Sequence, residues 1–500
     1  MNKRKNLALV FIVISTLACK ALALSPTATS IPNTETTEAP TSVPATSISP
    51  DAGASGMGDS LYPNFGNGGY DVEKYTLDIN VLNVTTSDLS ATTTIEAKAT
   101  QDLSSFNLDF VGFEITDLTV NDVDAEFNRD GQELTVTPAT PLTNQEAFTV
   151  KVSYKGEPEN MQSVALPFQT GWVTYDGGIF VLSEHDGSAS FYPVNDHPLD
   201  KAKYTFIVTV PKPYEVAANG TLVEDKDNGN TSTFRFELRD PMASYLATIN
   251  VHDFDTETMQ SKGGVPIRNY YATGLSEDVR KPFARQGEMI DYFSEIYGPY
   301  PFEVYGALVM DTTFGAALEN QTMSIFGTDM IDTSDVAGTE LTVAHELAHQ
   351  WFGDSISVAD WSDIWLNEGF ATYSEALWIE HTEGRTALDE WIKSQYQEVA
   401  SAPEYFPPPG APAGNDLFNS GVYVRGGLTL HALRVKVGDD AFFKIMQTYF
   451  AKYEGGNAST EDFISIAEEV SGQDLQDFFQ GWLYDKALPP ISRVRTQTTK

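Results

Sequence analysis

Two imidazoles and a carboxylate stand in this chain at a spacing that suits one metal ion. His345, Glu346, Leu347, Ala348 and His349 follow one another inside an apolar run from Leu341 to Phe352. The run reads as a helix ended by Gly353 and Asp354. Four residues apart on a helix, His345 and His349 share a face and can meet one cation. Glu346, about 100° round the helix from His345, can reach a water held by that cation. A third protein donor is available in Glu368, nineteen residues after His349, where the stretch WLNEGFA starts a second helix. Two His and one Glu leave the fourth position of a zinc site open for water, the mark of a catalytic rather than a structural site. Structural zinc sites close with four protein donors and are rich in Cys, whereas this chain has one cysteine. The chemistry indicated is hydrolysis assisted by one Zn2+, with Glu346 as general base. Thr372 and Glu375, one and two turns after Glu368, are placed to steady a ligating imidazole.

The helices that would carry these groups belong to the second half of the chain. From residue 255 to 490 apolar residues recur at helical spacing, beginning with Val279, Phe283, Ile290, Phe293 and Ile296. Before that, over 67–254, the pattern alternates: Tyr75, Leu77, Ile79, Val81; Phe148, Val150, Val152, Tyr154; Tyr204, Phe206, Val208, Val210. Asp130-Gly131 between Phe127 and Leu134 reads as a hairpin turn. The fold class expected is therefore a multidomain α and β chain, an antiparallel all-β domain followed by a mainly α-helical one. There is no internal repeat.

The chain of 500 residues carries 70 acidic and 31 basic side chains, a formal charge of -39 that repels nucleic acid. Its amino end reads as an export signal over 1–23, with three basic side chains in Met1–Lys5 and an apolar run Leu7–Ala18 too short to span a bilayer. Ser15-Thr16-Leu17-Ala18-Cys19 resembles a bacterial lipoprotein signal whose Cys takes the lipid anchor, although Thr16 stands where Leu is usual. The alternative is simple cleavage after Ala21-Leu22-Ala23. Residues 24–66, rich in Ser, Thr and Pro, are expected to be a disordered linker, and 491–500 a tail. As a flexible coil the linker would hold the globular part about 35 Å from a membrane anchor.

HELAHQWFGD followed at this separation by WLNEGFA resembles the gluzincin aminopeptidases, the family of aminopeptidase N and the leukotriene-processing hydrolase. Gly315-Ala316-Ala317-Leu318-Glu319-Asn320 is similar to the family's GAMEN exopeptidase motif, with Ala316 in the Gly place and Leu318 in the Met place. FYPVNDHPLDKAKYTF and PMASYLATI resemble its N-terminal β-domain, and Val422-Tyr423-Val424-Arg425-Gly426 the segment of its catalytic tyrosine. The likeness spans roughly Tyr70 to Pro490. It implies a thermolysin-like catalytic domain and hydrolysis of the first peptide bond of peptides with a free amino terminus. It also implies that Tyr423 stabilises the oxyanion, and that Glu319 and Glu184, with Ala316 and Ala317, bind the substrate. Many family members carry an Arg near the place of Ala189, and many continue into a β-sandwich and a helical cap, so a more open cleft is expected here. Arg425 could touch the peptide beyond the cleaved bond or make a structural ion pair, and Pro407 to Pro409 with Pro412 suggest a stiff loop beside the site. An endopeptidase or non-peptide hydrolase on the same scaffold, or a surface binding protein that has lost catalysis, are the competing readings.

Overall fold

The computed structural model describes residues 50–491. The expected export signal with Cys19, the linker up to residue 49 and the tail after residue 491 lie outside the described residues. Among the described residues no helix is long and apolar enough to cross a membrane.

The alternating segments form strands because period-two apolar residues bury one face of a sheet and leave the other in water. The largest sheet has eight strands, with Tyr70–Asn83, Asp88–Ala99, Ala147–Gly156, Ala202–Pro211 and Thr231–Met242 as its long members. Tyr75, Leu77 and Ile79 on one strand and Phe206, Val208 and Val210 on its neighbour are fully buried. Those two strands run parallel, from Lys203 opposite Lys74 to Thr209 opposite Asn80. The sheet is thus not purely antiparallel as expected, because the long chain between residues 83 and 202 returns to the same end. A four-stranded sheet contains the hairpin Glu126–Asp130 and Glu133–Thr137, turned through Gly131 at φ +61°. A five-stranded sheet contains Gly178–Leu182, whose end leads directly into Glu184.

Residues 51–66 depart from the expected linker. Asp51–Ala52 pairs in parallel with Leu103–Asp109, and Asp59 and Tyr62 are buried. Polar composition concealed this, because Asp59, Tyr62 and Phe65 make their contacts with partners distant in sequence.

The second part opens with its own five-stranded sheet, ordered Phe254–Gln260, Pro266–Ala272, Ala307–Val309, Ser324–Phe326 and Ala317–Leu318, which leaves Ala317–Leu318 at an edge. Helix α1 (Gln286–Tyr297) lies between strands of that sheet, and α2 (Val336–Ala348), α3 (Trp365–Glu383), α4 (Arg385–Ser401), α5 (Gly426–Val437), α6 (Asp439–Tyr453), α7 (Thr460–Ser471) and the short α8 (Gln476–Phe479) follow it. Val279 and Phe283 lie not in a regular α-helix but in a 3₁₀ stretch, Glu277–Phe283, that contains Pro282. Helix α2 starts earlier than the apolar run, because the Asp335 side chain caps it by accepting from Gly338 N. It also ends earlier, at Ala348, where Gln350 N and Trp351 N turn to carbonyls three residues back.

Helices α3 and α5 touch backbone to backbone. A Cβ on Gly369 would lie 3.0 Å from Gly426 Cα, so a side chain at either position would push the two helices apart by a few tenths of an ångström. The two halves of the chain are joined by Lys201, a half-buried side chain whose Nζ donates to the carbonyls of Asp354 (2.8 Å), Ser355 (2.9 Å) and Gly456 (3.0 Å). Phe206, 0% exposed in the eight-stranded sheet, offers a test of that core. Phe206→Ala is expected to lower stability by about 3–5 kcal/mol in denaturant unfolding.

Candidate active site

Helices α2 and α3 cross so that one donor atom each from His345, His349 and Glu368 lies within 4.8 Å of the other two. Glu368 Oε2 is 3.2 Å from His345 Nε2 and 3.6 Å from His349 Nε2. The opposite ring nitrogens are each engaged: His345 Nδ1 donates to Glu375 Oε1 (2.8 Å) and His349 Nδ1 to the carbonyl of Phe352 (3.1 Å). That fixes each ring with its Nε2 turned towards Glu368. Of the two residues expected to steady an imidazole, Glu375 does so, while Thr372 abuts Gly427. Burial opposes ionisation of Glu368, yet the imidazoles of His349 and His345 hold its carboxyl down at about 2.

Glu346 follows His345 on α2 and is buried, and its carboxylate lies within 4.8 Å of donor atoms of Glu319 and His349. Burial pushes its carboxyl up to about 8, against the pull of His345 and His349. Glu319 leaves the edge strand Ala317–Leu318, and Gln350 Nε2 holds its carbonyl at 2.8 Å. Asn320 Nδ2 donates to Leu246 O (3.0 Å), which ties this segment to the β-domain. Glu184 arrives from that β-domain at the end of Gly178–Leu182 and is buried. Its carboxyl is raised well above the usual range, first by burial and then by the charges of Glu319, Glu368 and Glu346. Glu184 and Glu319 each keep one carboxylate oxygen, Oε1, buried and without a hydrogen-bond partner. Ala316 and Ala317, expected to bind substrate, are placed here only by backbone pairing: Ala316 O accepts from Gly327 N (3.3 Å), and Ala317 pairs with Phe326 at the sheet edge.

Tyr423 sits in a widened helical turn, Gly421–Arg425, that feeds α5. Its ring stacks over His345, centroids 6.1 Å apart and planes 19° apart. The proline loop has a place in this geometry, since Gly421 packs on the carbonyl of Pro407 so closely that no Cβ would fit. Arg425 does not face the cleft. It is buried and donates through Nε to Trp482 O (2.8 Å) and through Nη2 to Gly481 O (3.0 Å), so its role is structural, through carbonyls rather than an ion pair.

Residues 71–246 match the Peptidase M1 N-terminal domain and residues 282–482 the Peptidase family M1 domain. A solved Glu-to-Ala variant of the M1 zinc metallopeptidase from Deinococcus radiodurans, bound to a Tyr-Ser-Ala substrate, is 32% identical at a TM-score of 0.79. The match covers 87% of this chain and 99% of that one. The chain belongs to the M1 family of zinc metallopeptidases. Aminopeptidase N of Streptomyces lividans is 32% identical over 311 residues, 58% of this chain and 36% of that protein. Aminopeptidase M1-B of Oryza sativa is 27% identical over 359 residues, 69% of this chain. The chain spans 39% of the length of that rice relative.

The donor set fits the family's metal, one zinc ion. The Nε2 atoms of His345 and His349 and the carboxylate of Glu368 converge in a buried place while each Nδ1 is engaged elsewhere, which is the three-donor set of a catalytic zinc site. Four contributors to this region were not singled out from the sequence. Asp354 is fully buried with neither carboxylate oxygen hydrogen-bonded, Lys201 braces its backbone, Gln350 positions Glu319, and Tyr245 OH donates to Gly353 O (3.3 Å). Gln350 and Asp354 stand within HELAHQWFGD, so their proximity was available, whereas Lys201 and Tyr245 come from the other domain. Glu375→Ala is expected to weaken zinc binding by about 10- to 100-fold, read by competition with a chelating dye.

Proposed function

We propose that this M1 protein is an aminopeptidase that hydrolyses the first peptide bond of peptides with a free amino terminus. The observation that carries the reading is the pair Glu184 and Glu319, two buried carboxylates with unpartnered oxygens beside the metal donors and Glu346. An α-ammonium supplies the cation and the hydrogen-bond donors that those oxygens lack. Because the anchors sit at a set distance from His345, His349 and Glu368, only the bond next to the amino end reaches the reacting position. The aminopeptidase N of Streptomyces and the Tyr-Ser-Ala substrate of the Deinococcus enzyme support a peptide occupant.

His345, His349 and Glu368 would hold the zinc, which would supply Lewis acidity and activate water near neutral pH. Glu346 takes the proton of the attacking water at its carboxylate oxygen and returns it to the departing amine nitrogen. Tyr423 keeps its phenolic proton, since burial and then the charges of Glu368 and Glu184 raise its pKa well above the usual value. It therefore donates a hydrogen bond to the oxyanion, a contribution worth about 2.7–4 kcal/mol for one such donor. The edge strand Ala317–Leu318 offers backbone groups that an extended peptide can pair with. We also propose that the protein is exported and held at a membrane by a lipid on Cys19, a reading supported by the basic, apolar and small residues that lead to it.

Two measurements test the catalytic reading. Paired peptides, free or acetylated at the amino end, should be cleaved only when free, and only without chelator; equal cleavage of both would remove the ammonium anchor. Glu346→Ala should retain zinc while turnover drops at least about 100-fold, the lower bound for loss of a positioned acid–base group. Unchanged hydrolysis would refute Glu346 as the base.

A further inference from the structure

The three groups proposed to act beside the zinc helix α2 reach the cleft from three separate segments. Glu184 ends a β-domain strand, Glu368 stands in the first turn of α3, and Tyr423 lies in the turn before α5. One short piece of chain touches all three approaches, and it precedes residue 71, where the N-terminal family match begins. We propose that Asp59–Phe65 is a strap that positions the active site, with Tyr62 as the positioning residue for the Tyr423 turn and the Glu184 loop. The proposal rests on the aminopeptidase reading only for its kinetic half.

Asp59 anchors the strap. Its carboxylate accepts from Leu61 N (2.9 Å) and Tyr62 N (2.8 Å) of the strap itself and from Trp361 N (2.7 Å) of the catalytic domain. It also meets His197 Nε2 of the β-domain at 3.3 Å, with both side chains 0% exposed. Next to it, Ser60 bonds Asp360 through its amide (2.7 Å) and its hydroxyl (2.6 Å). Asp360 and Trp361 lead through the short turn Trp361–Asp363 into α3 and so to Glu368.

Tyr62 makes the other two contacts. Its hydroxyl donates to the carbonyl of Gly414, in the loop that runs into the Tyr423 turn. Its ring packs on His185, the residue after Glu184, at 4.5 Å between centroids, and Phe65 covers the same imidazole at 5.4 Å. Phe418, five residues before Tyr423, closes a further side of His185 at 6.3 Å. His185 is buried with neither ring nitrogen hydrogen-bonded, so its place is set by the rings around it rather than by polar partners. Removing the ring of Tyr62 frees the Glu184 loop, whereas removing its hydroxyl frees only the loop before Tyr423. A displacement of about 1 Å at a reacting group can cost a hundredfold in rate, so such a strap acts on turnover without touching the substrate.

The experiment compares the full chain with its Tyr62→Phe and Tyr62→Ala variants, well below their melting temperatures, with zinc content measured on each. Tyr62→Phe should lower kcat roughly fivefold at unchanged KM and zinc, the scale of one lost hydrogen bond. Tyr62→Ala should lower kcat further and raise KM, because the ammonium anchor also loosens. Hydrogen exchange tests the same point without catalysis. Amides of 412–423 should exchange several-fold faster in both variants, and those of 183–187 faster in Tyr62→Ala only. Parent-like kcat, KM and exchange in both variants would overturn the strap. Faster exchange in a chain whose parent cleaves no free-amine peptide would uphold the strap and reject the aminopeptidase reading instead.

Discussion

Glu184, Glu319, Glu346, Glu368 and Asp354 bring five carboxyl groups into one buried region, where each raises the cost of ionising its neighbours. Desolvating a carboxylate without compensation is expensive enough that the group either keeps its proton or acquires a cation. His345 and His349 compensate Glu368, whose carboxyl falls to about 2, while Glu346 stays near 8. Glu184 and Glu319 are left with bare oxygens. The zinc donors His345, His349 and Glu368 are therefore flanked by two further buried carboxyl groups, Glu184 and Glu319, whose charge no side chain around them offsets through a hydrogen bond to Oε1.

Holding that much like charge together demands a rigid frame, and the frame is built across the two domains. Lys201 reaches from the β-domain to two carbonyls of the loop after α2 and to that of Gly456 between α6 and α7, and burial draws its pKa down to about 7. Asn320 and Leu246 bind the segment of Glu319 back to the β-domain. Gly369 and Gly426 bring α3 and α5 into backbone contact, which sets the Tyr423 turn beside Glu368. Each of these contacts works through backbone groups, whose positions vary less than those of long side chains. The same preference explains Arg425, which spends its donors on carbonyls near the chain's end rather than on the cleft.

Several boundaries moved between sequence and structure for one recurring reason, that side-chain periodicity reports burial and not hydrogen bonding. Helix α2 begins at Val336 because Asp335 caps it, although its first residues are not part of the apolar run. Residues 51–66 look like linker by composition, yet Asp59 meets the Trp361 amide of one domain and the His197 side chain of the other, and Tyr62 finds a covered face. Alternation correctly marks Tyr70–Asn83 and Ala202–Pro211 as strands with one buried face, but it carries no information on direction, and the two prove to be parallel.

What the sequence determined by itself was the local part of the site. Helical spacing alone puts His345 and His349 on one face, and the capacity of a His, His, Glu set for zinc is a property of the residue types. Resemblance extended that to Glu319, Tyr423 and Glu184, which the fold does bring to the same cleft. Only tertiary structure decided which oxygens would be left bare, that Glu375 and not Thr372 holds His345, and that Arg425 turns away. Those outcomes depend on how segments far apart in sequence pack together, and spacing along a chain says nothing of the angle at which two helices or two domains will meet.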